Sequence, residues 1–326
     1  MVFNVGVVDF EWWFPIRLYA AGGEIRVQWF RRDAGLCFDD RYFHATVARA
    51  AKRPFNLAFY RETGVESLAQ IANSTAALPL RGMLFHLSRC GSTLVSNAFG
   101  ARFDVLLLSE AGPINDVLGL PDLSDDARIA LLRDVVAVLS RAQRSGQIGC
   151  IAKLDAWHVR SLRLFEAAFP GVPWIFLHRD PCEVLVSHLR TPSFMMSALN
   201  AHATLGLSVV DAVPIPRETF CSSVIAGILD AMRAAAPGPQ RLVAYDELPG
   251  AIWTRIGPAF GLPFAESTVA RIRAEAGTHA KDPARTFTSD TEEKQAAAQM
   301  LPAVIIDRLR AAYAWIDESP MVQRSR

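Results

Sequence analysis

The chain has 326 residues, 51% of them apolar and 21% charged, with 34 basic against 33 acidic side chains. This composition excludes a disordered or collagen-like chain, and the length excludes a single small module while leaving one large α/β domain with an appendage, or two domains. A formal net charge of +1 supplies no bulk field to draw in nucleic acid or an anionic membrane, so any anionic ligand has to be held by a local cluster of cations.

The first predicted elements fill residues 14–31, FPIRLYAAGGEIRVQWFR, two alternating strands joined at Gly22 and Gly23, the chemistry of a tight hairpin. Next, FDDRYFHATVARAAKR reads as a helix capped by Asp39 or Asp40 and ending before Pro54. A short helix, GVESLAQIA, follows, and the small polar stretch NSTAALPLRG reads as a linker, which puts a boundary near residue 78. Beyond it, short apolar runs alternate with longer amphipathic segments, the signature of βαβ units and a parallel sheet. The strand candidates are 83–87, 104–108, 149–153, 173–178 and 241–245. The clearest helix is DDARIALLRDVVAVLSRAQRS, with Asp125 or Asp126 near its start and Gly146 after its end. The carboxyl-terminal third reads as mostly helical to about Ile316. The expected fold is therefore α/β, a three-layer parallel sheet flanked by helices, with an amino-terminal hairpin-plus-helix extension over 1–78 and the main domain over 79–326. In such a sheet the loops at the carboxyl ends of the strands form the ligand-binding edge.

The five cysteines are scattered, with no CxxC pair, which reads as buried thiols in a reducing compartment. The amino terminus has no basic leader before its apolar stretch, and no uncharged apolar run is long enough to cross a bilayer. A soluble cytoplasmic protein with neither nucleic acid nor membrane as partner is the expectation. The histidines show neither HxH nor HExxH spacing, so no metal is expected.

Two segments carry chemistry. In LFHLSRCGSTLVSNAFG, residues 84–100, an apolar strand leads into a turn with Arg89, Cys90 and Gly91, and Ser92 and Thr93 open an amphipathic helix. That arrangement aims backbone N–H groups and a helix amino end at one spot, which suits a phosphate. The ATP-binding pattern GxxxxGK[ST] needs a lysine before the hydroxyl residue, whereas Gly91 directly precedes Ser92 here. A strand-to-helix turn with a good cap would look the same. In PWIFLHRDPCEVLVSHLR, residues 173–190, a strand ends at His178, Arg179 and Asp180 occupy the turn, and Pro181 begins a helix that carries Ser187 and Arg190. Arg179 can fork onto a second phosphate, or else form a surface pair with Asp180 or Glu183.

These blocks resemble the sulfotransferases that use 3′-phosphoadenosine 5′-phosphosulfate (PAPS), above all the bacterial and tyrosylprotein types. In that family a strand, a (K/R)SGTT loop and a helix bind the 5′-phosphosulfate, and RxPxxxxxS binds the 3′-phosphate. Here they read RCGST at 89–93 and RDPCEVLVS at 179–187, with a matching interval from Arg179 to Ser187. RLVAYDELPGAIWTRIGPAFGLPF looks like a third family block, and carries Tyr245. The resemblance spans roughly residues 80–290 and implies a P-loop-like fold, PAPS as sulfuryl donor and no metal. It implies nucleotide contacts from Arg89, Cys90, Gly91, Ser92, Thr93, Arg179, Ser187 and Tyr245. The family's glycine-rich RKG segment is missing. HAKDPARTFTSD stands in its place, making Lys281 and Arg285 the substitutes.

The resemblance also implies catalytic roles. Glu110, 21 positions after Arg89, matches a glutamate that serves as the base in the tyrosylprotein branch, and a carboxylate stripped of water is a stronger base. A cap on the helix near Pro113 is the plain alternative. Lys153 matches a lysine that faces the transferring group, beside Arg89, while a strand-end pair with Asp155 is its plain reading. His158 is a rival base, and His86 reads as packed inside a strand. Trp157, Phe194, Met195, Met196 and His202 stand as candidate lining for a small-molecule acceptor, or as core. The expected function is transfer of a sulfuryl group from PAPS to a hydroxyl or amine. The alternatives are a P-loop phosphotransferase using ATP or a nucleotide-binding protein without catalysis. Residues 1–78 are open to capping the acceptor cleft, forming a homodimer or extending the core.

Overall fold

The computed structural model describes residues 10–33, 35–59, 61–275, 278–279, 282–286 and 291–317. Strand β1 (Trp13–Ala21) and strand β2 (Glu24–Arg31) pair antiparallel through a turn in which Gly22 and Gly23 both have positive φ, +61° and +81°. Side chains resist that backbone and glycine does not. A short polar strand, β3 (Arg61–Gly64), adds to β2 without the apolar alternation by which a strand shows in a sequence.

The remaining strands are β4 (Leu80–His86), β5 (Val105–Ser109), β6 (Gly149–Lys153), β7 (Trp174–His178) and β8 (Leu242–Ala244), in the sheet order β5-β6-β4-β7-β8. The pairs β5 with β6, β4 with β7 and β7 with β8 are parallel. Every residue of β5, β6 and β7 is buried, which is why these segments are continuous apolar runs rather than alternating ones. The α/β class and parallel sheet expected from the sequence are present. Strand β8 is shorter than expected because Tyr245 opens a 3₁₀ turn.

From β2 to Arg190 the α-helices are α1 (Phe43–Ala51), α2 (Pro54–Ala58), α3 (Val65–Asn73), α4 (Ser92–Gly100), α5 (Gly112–Gly119), α6 (Asp125–Leu139), α7 (Leu162–Ala168) and α8 (Pro181–Arg190), and further helices, among them Arg217–Ala234, lie between α8 and β8. Two sequence expectations are corrected. Helix α1 is capped at Tyr42, not by Asp39 or Asp40, because the Asp40 carboxylate is committed to Thr46 Oγ1 at 2.7 Å and Arg49 Nε at 2.8 Å. Helix α6 stops at Leu139 rather than near Gly146, because Ser140 closes it and the backbone of Arg141 forms an antiparallel bridge with Ala77. The expected linker is also tied down: the Leu78 amide donates to the Ser140 carbonyl at 2.9 Å, and β4 begins at Leu80.

Contacts divide the chain into two compact units, each assembled from separate segments. The first comprises residues up to Arg81, Phe99–Lys153 and Leu164–Val172. Its core carries an edge-to-face aromatic cluster of Phe14, Phe38 and Phe43, with centroids 5.1 to 6.2 Å apart. Each such pair contributes about 0.5–1.5 kcal/mol beyond area burial. Helix α5 packs on β1, where Asp116 Oδ2 accepts from the Leu18 amide at 2.8 Å. Burial pushes the Asp116 carboxyl up to about 6, against the lowering effects of that hydrogen bond and of Arg17.

The second unit comprises Gly82–Ala98, Leu154–Arg163 and Pro173–Arg326. Its last described helix, Ala303–Asp317, ends one residue past the expected point, and its Tyr313 hydroxyl lies 2.7 Å from His178 Nδ1. Burial, aided by Arg255, pushes His178 down to about 4, so the ring stays neutral. The five cysteines are free thiols, and all but Cys37 are buried. Among the described residues, no helix is long and apolar enough to cross a membrane.

Candidate functional site

In the second unit, the turn after β4 is held against its own backbone preference. Ser88 and Arg89 have φ of +69° and +50°, and Gly91 has φ of +83°. Left-handed conformations cost non-glycine residues of order 1–3 kcal/mol each and persist only where surrounding contacts fix them. Those contacts are present. The Ser88 amide donates to His86 Nδ1 at 3.0 Å, Ser88 Oγ lies 3.1 Å from His188 Nε2, and His188 Nδ1 lies 3.2 Å from Ser193 Oγ. Cys90 Sγ donates to the Leu177 carbonyl at 3.3 Å, and Arg89 Nη2 donates to the Thr191 carbonyl at 2.8 Å. A Cβ on Gly91 would stand 2.6 Å from Leu248 Cδ1 and 3.1 Å from Tyr245 Cδ2, so only glycine fits. Helix α4 starts immediately after, with Ser92 and Thr93 buried. Amides in a first helical turn lack intrahelical carbonyls, and the helix dipole makes that end favourable to an anion.

The second cationic corner follows β7. Asp180 caps α8 through its Oδ1, which accepts from the Cys182 and Glu183 amides at 2.8 and 3.0 Å, and Pro181 takes the first helical position. Arg179 is thereby fixed between strand and helix. Its Nε and Nη2 reach Glu183 Oε2 at 2.7 and 2.5 Å, and its guanidinium carbon lies 4.1 Å from the Tyr245 ring centroid. The pair with Glu183, which the sequence allowed as a surface contact, does form, but it is buried: the two side chains are 6% and 7% exposed. Gln295 Nε2 donates to the other Glu183 oxygen at 3.0 Å. A buried ion pair of this kind orients its arginine and leaves little room for either partner to be removed alone. Ser187 is half-buried on α8, and Arg190 pairs with Glu293 at 3.0 Å rather than standing ready as a donor. Lys281 and the side chain of Arg285 lie outside the described residues.

The first unit holds the third group. Glu110, directly after β5, also has a left-handed backbone, φ +52°, and its amide donates to the Lys153 carbonyl at 2.8 Å. Lys153 Nζ lies 2.5 Å from Glu110 Oε1, with side chains 1% and 24% exposed. The plain readings of both residues do not hold. Ala111 occupies the cap position of α5, without a side-chain cap, and the Lys153 ammonium is paired with Glu110. The ammonium also lies 4.9 Å from the Tyr42 ring centroid.

Of the other candidates, His158 is buried on the 3₁₀ turn Ala156–Ser161, where its Nδ1 accepts from the Asp155 amide at 3.3 Å. His86 is packed in β4, as its strand position implied. Met195 and Met196 are buried, whereas Phe194 is 64% exposed. The sequence pointed to Arg89, Gly91, Glu110, Lys153 and Arg179. It gave Tyr42, His188 and Ser88 no role, because what marks them is proximity between distant segments.

No family model and no curated protein matches the chain. Among solved structures it is similar to the sulfotransferase domain from the curacin biosynthetic pathway, at 15% identity and a TM-score of 0.47, over 74% of this chain and 99% of that one. It is similar to a sulfotransferase from Mycobacterium avium at 13% identity and a TM-score of 0.49, over 84% of this chain and 83% of the other. For the sulfotransferase domain of the Synechococcus PCC 7002 olefin synthase the values are 15% and 0.40, over 74% and 96%.

Proposed function

We propose that the chain is a sulfotransferase that moves a sulfuryl group from PAPS to a hydroxyl or amine of a small-molecule acceptor. The observation that carries this reading is the pair of arginines in the second unit, each fixed at the carboxyl end of a strand. Arg89 stands ahead of the amino end of α4 in a strained turn, and Arg179 stands at the head of α8. Two separate cationic corners suit a nucleotide with phosphate on both sides of its ribose, and the interval from Arg179 to Ser187 is that of the resemblance described above.

The donor, once bound, supplies an activated sulfuryl group on a phosphate leaving group. The chain's residues supply position and field, as in phosphoryl transfer. Arg89, Gly91, Ser92 and Thr93 are assigned to the 5′ end, with Cys90 holding the turn through Leu177. Arg179 and Ser187 are assigned to the 3′-phosphate, and Tyr245 supports Arg179 from its ring face. Hydrogen bonds to ionised groups contribute about 1.5–3 kcal/mol each, so losing one arginine has a large effect. Glu110 is assigned as the base that takes the acceptor's proton, and Lys153 as the cation beside it. The missing lysine before Ser92 argues against ATP chemistry. Five free thiols suit a reducing, cytoplasmic setting.

The test is transfer of labelled sulfate from PAPS across a panel of alcohols, phenols, sugars and amines. Label appearing in one acceptor class supports the reading. Thermal stabilisation by ATP with magnesium and none by the product bisphosphate, PAP, would replace it with a phosphotransferase. PAP binding without transfer, unaltered by Glu110→Gln, would indicate a non-catalytic nucleotide binder.

A further inference from the structure

We infer that Tyr42, in the amino-terminal segment to which the sequence assigned no chemistry, is a positioning residue whose ring holds the Lys153 ammonium against Glu110. For its chemical meaning this rests on the reading above, whereas the contact itself stands on geometry.

Lys153 Nζ lies 4.9 Å from the ring centroid, inside the range over which a cation is drawn to the negative face of an aromatic ring. The attraction is strongest where water is excluded, and the Lys153 side chain is 1% exposed. The ring is held in place from several sides. Tyr42 has an extended backbone at the start of α1, with φ −137° and ψ 142°. The next residue, Phe43, is wedged edge-to-face against Phe14 and Phe38. His44 stacks on Tyr42, with centroids 5.4 Å apart and planes 11° from parallel. Asp40 ties the segment before the helix to Thr46 and Arg49.

The consequence follows from what happens to Glu110. In the proposed step the acceptor O–H or N–H bond breaks and its proton goes to the Glu110 carboxylate. The electron pair left behind forms the new bond to sulfur as the bond from sulfur to the phosphate oxygen breaks, its pair staying on PAP. At that moment Glu110 becomes neutral and Lys153 loses the charge of its partner. The face of Tyr42 does not change with protonation of Glu110, so the ammonium keeps one favourable neighbour throughout. The effect belongs to turnover rather than to nucleotide binding, which is assigned to the other unit.

The experiment compares the full chain with Tyr42→Phe, which keeps the ring, and with Tyr42→Leu and Tyr42→Met, which remove it. Each is acetylated briefly with N-hydroxysuccinimidyl acetate at fixed pH, and modification at Lys153 is read by mass spectrometry, with exposed Lys52 as internal reference. The ring's hold on the ammonium predicts acetylation of Lys153 about tenfold faster in the Leu and Met variants and within about twofold of the parent in Phe. Circular dichroism selects the folded aliphatic variant. An unchanged rate in that variant, or a Phe variant as reactive as Leu, overturns the inference. Under PAPS-dependent transfer the Leu variant loses about tenfold in kcat at unchanged KM for PAPS. Absence of any transfer by the parent chain defeats the sulfuryl reading, while the acetylation result still decides the contact.

Discussion

Arg179 and Glu183 meet four residues apart beneath the ring of Tyr245, whereas Lys153 and Glu110 meet 43 residues apart beside the ring of Tyr42. Both are a cation, a carboxylate and a tyrosine at the carboxyl end of buried strands. They differ in what can change. A guanidinium keeps its proton, and Glu183 is sealed in at 7% exposure, so that pair is a fixed electrostatic part. Glu110 is 24% exposed beside a fully buried ammonium, so its carboxylate can meet a proton donor arriving from outside. One pair is suited to holding a charge and the other to moving one.

The comparison breaks most visibly at Glu183. Replacing it with alanine leaves a buried guanidinium without its counter-charge, and the expected loss is on the order of 3–5 kcal/mol in urea unfolding. Glu110→Ala is expected to cost roughly half as much, because water can enter where that carboxylate meets solvent. Equal losses would erase the distinction between the two pairs. In activity the order reverses: Glu110→Gln is expected to lower sulfate transfer by about 10²–10⁴-fold while leaving PAP affinity intact. If Glu110→Gln turned over normally and His158→Ala did not, the base would be His158. Arg179→Ala is expected to weaken PAP binding by roughly 10–100-fold in a calorimetric titration.

The smallest effect belongs to Asp116 in the first unit. Its folded pKa, about 6, is raised above the unfolded value of 3.8. The stability linked to it is therefore full below about pH 4 and is lost as pH rises through 6, by roughly 1–2 kcal/mol after allowance for its partial exposure. Asp116→Asn, which can still accept from the Leu18 amide, should remove that pH dependence. A variant with the parent's slope between pH 4 and 7 would show that Asp116 does not titrate there.

The buried strands were legible in the sequence because a strand covered on both faces has to be a continuous apolar run, as in VLLLS and WIFLH. The hairpin was legible because its turn needs the backbone that Gly22 and Gly23 adopt. Arg179 could be placed since strand end, Asp180 cap and Pro181 form one local pattern. The boundary of α6 and the cap of α1 were misread for one reason: the backbone of Arg141 and the carboxylate of Asp40 are taken by partners whose position only the fold determines. Strand β3 escaped notice because RETG has no apolar alternation and a single β-branched side chain, Thr63, and it is held by pairing with β2. Tyr42 was beyond reach, since no short-range pattern links it to Lys153.

The most direct test is a crystal structure of the chain soaked with PAP. A single nucleotide with its 3′-phosphate on Arg179 and its 5′-phosphate at Arg89 and the first amides of α4 is the predicted result. Density showing the two guanidiniums on separate molecules, or both turned away from the nucleotide, would contradict it.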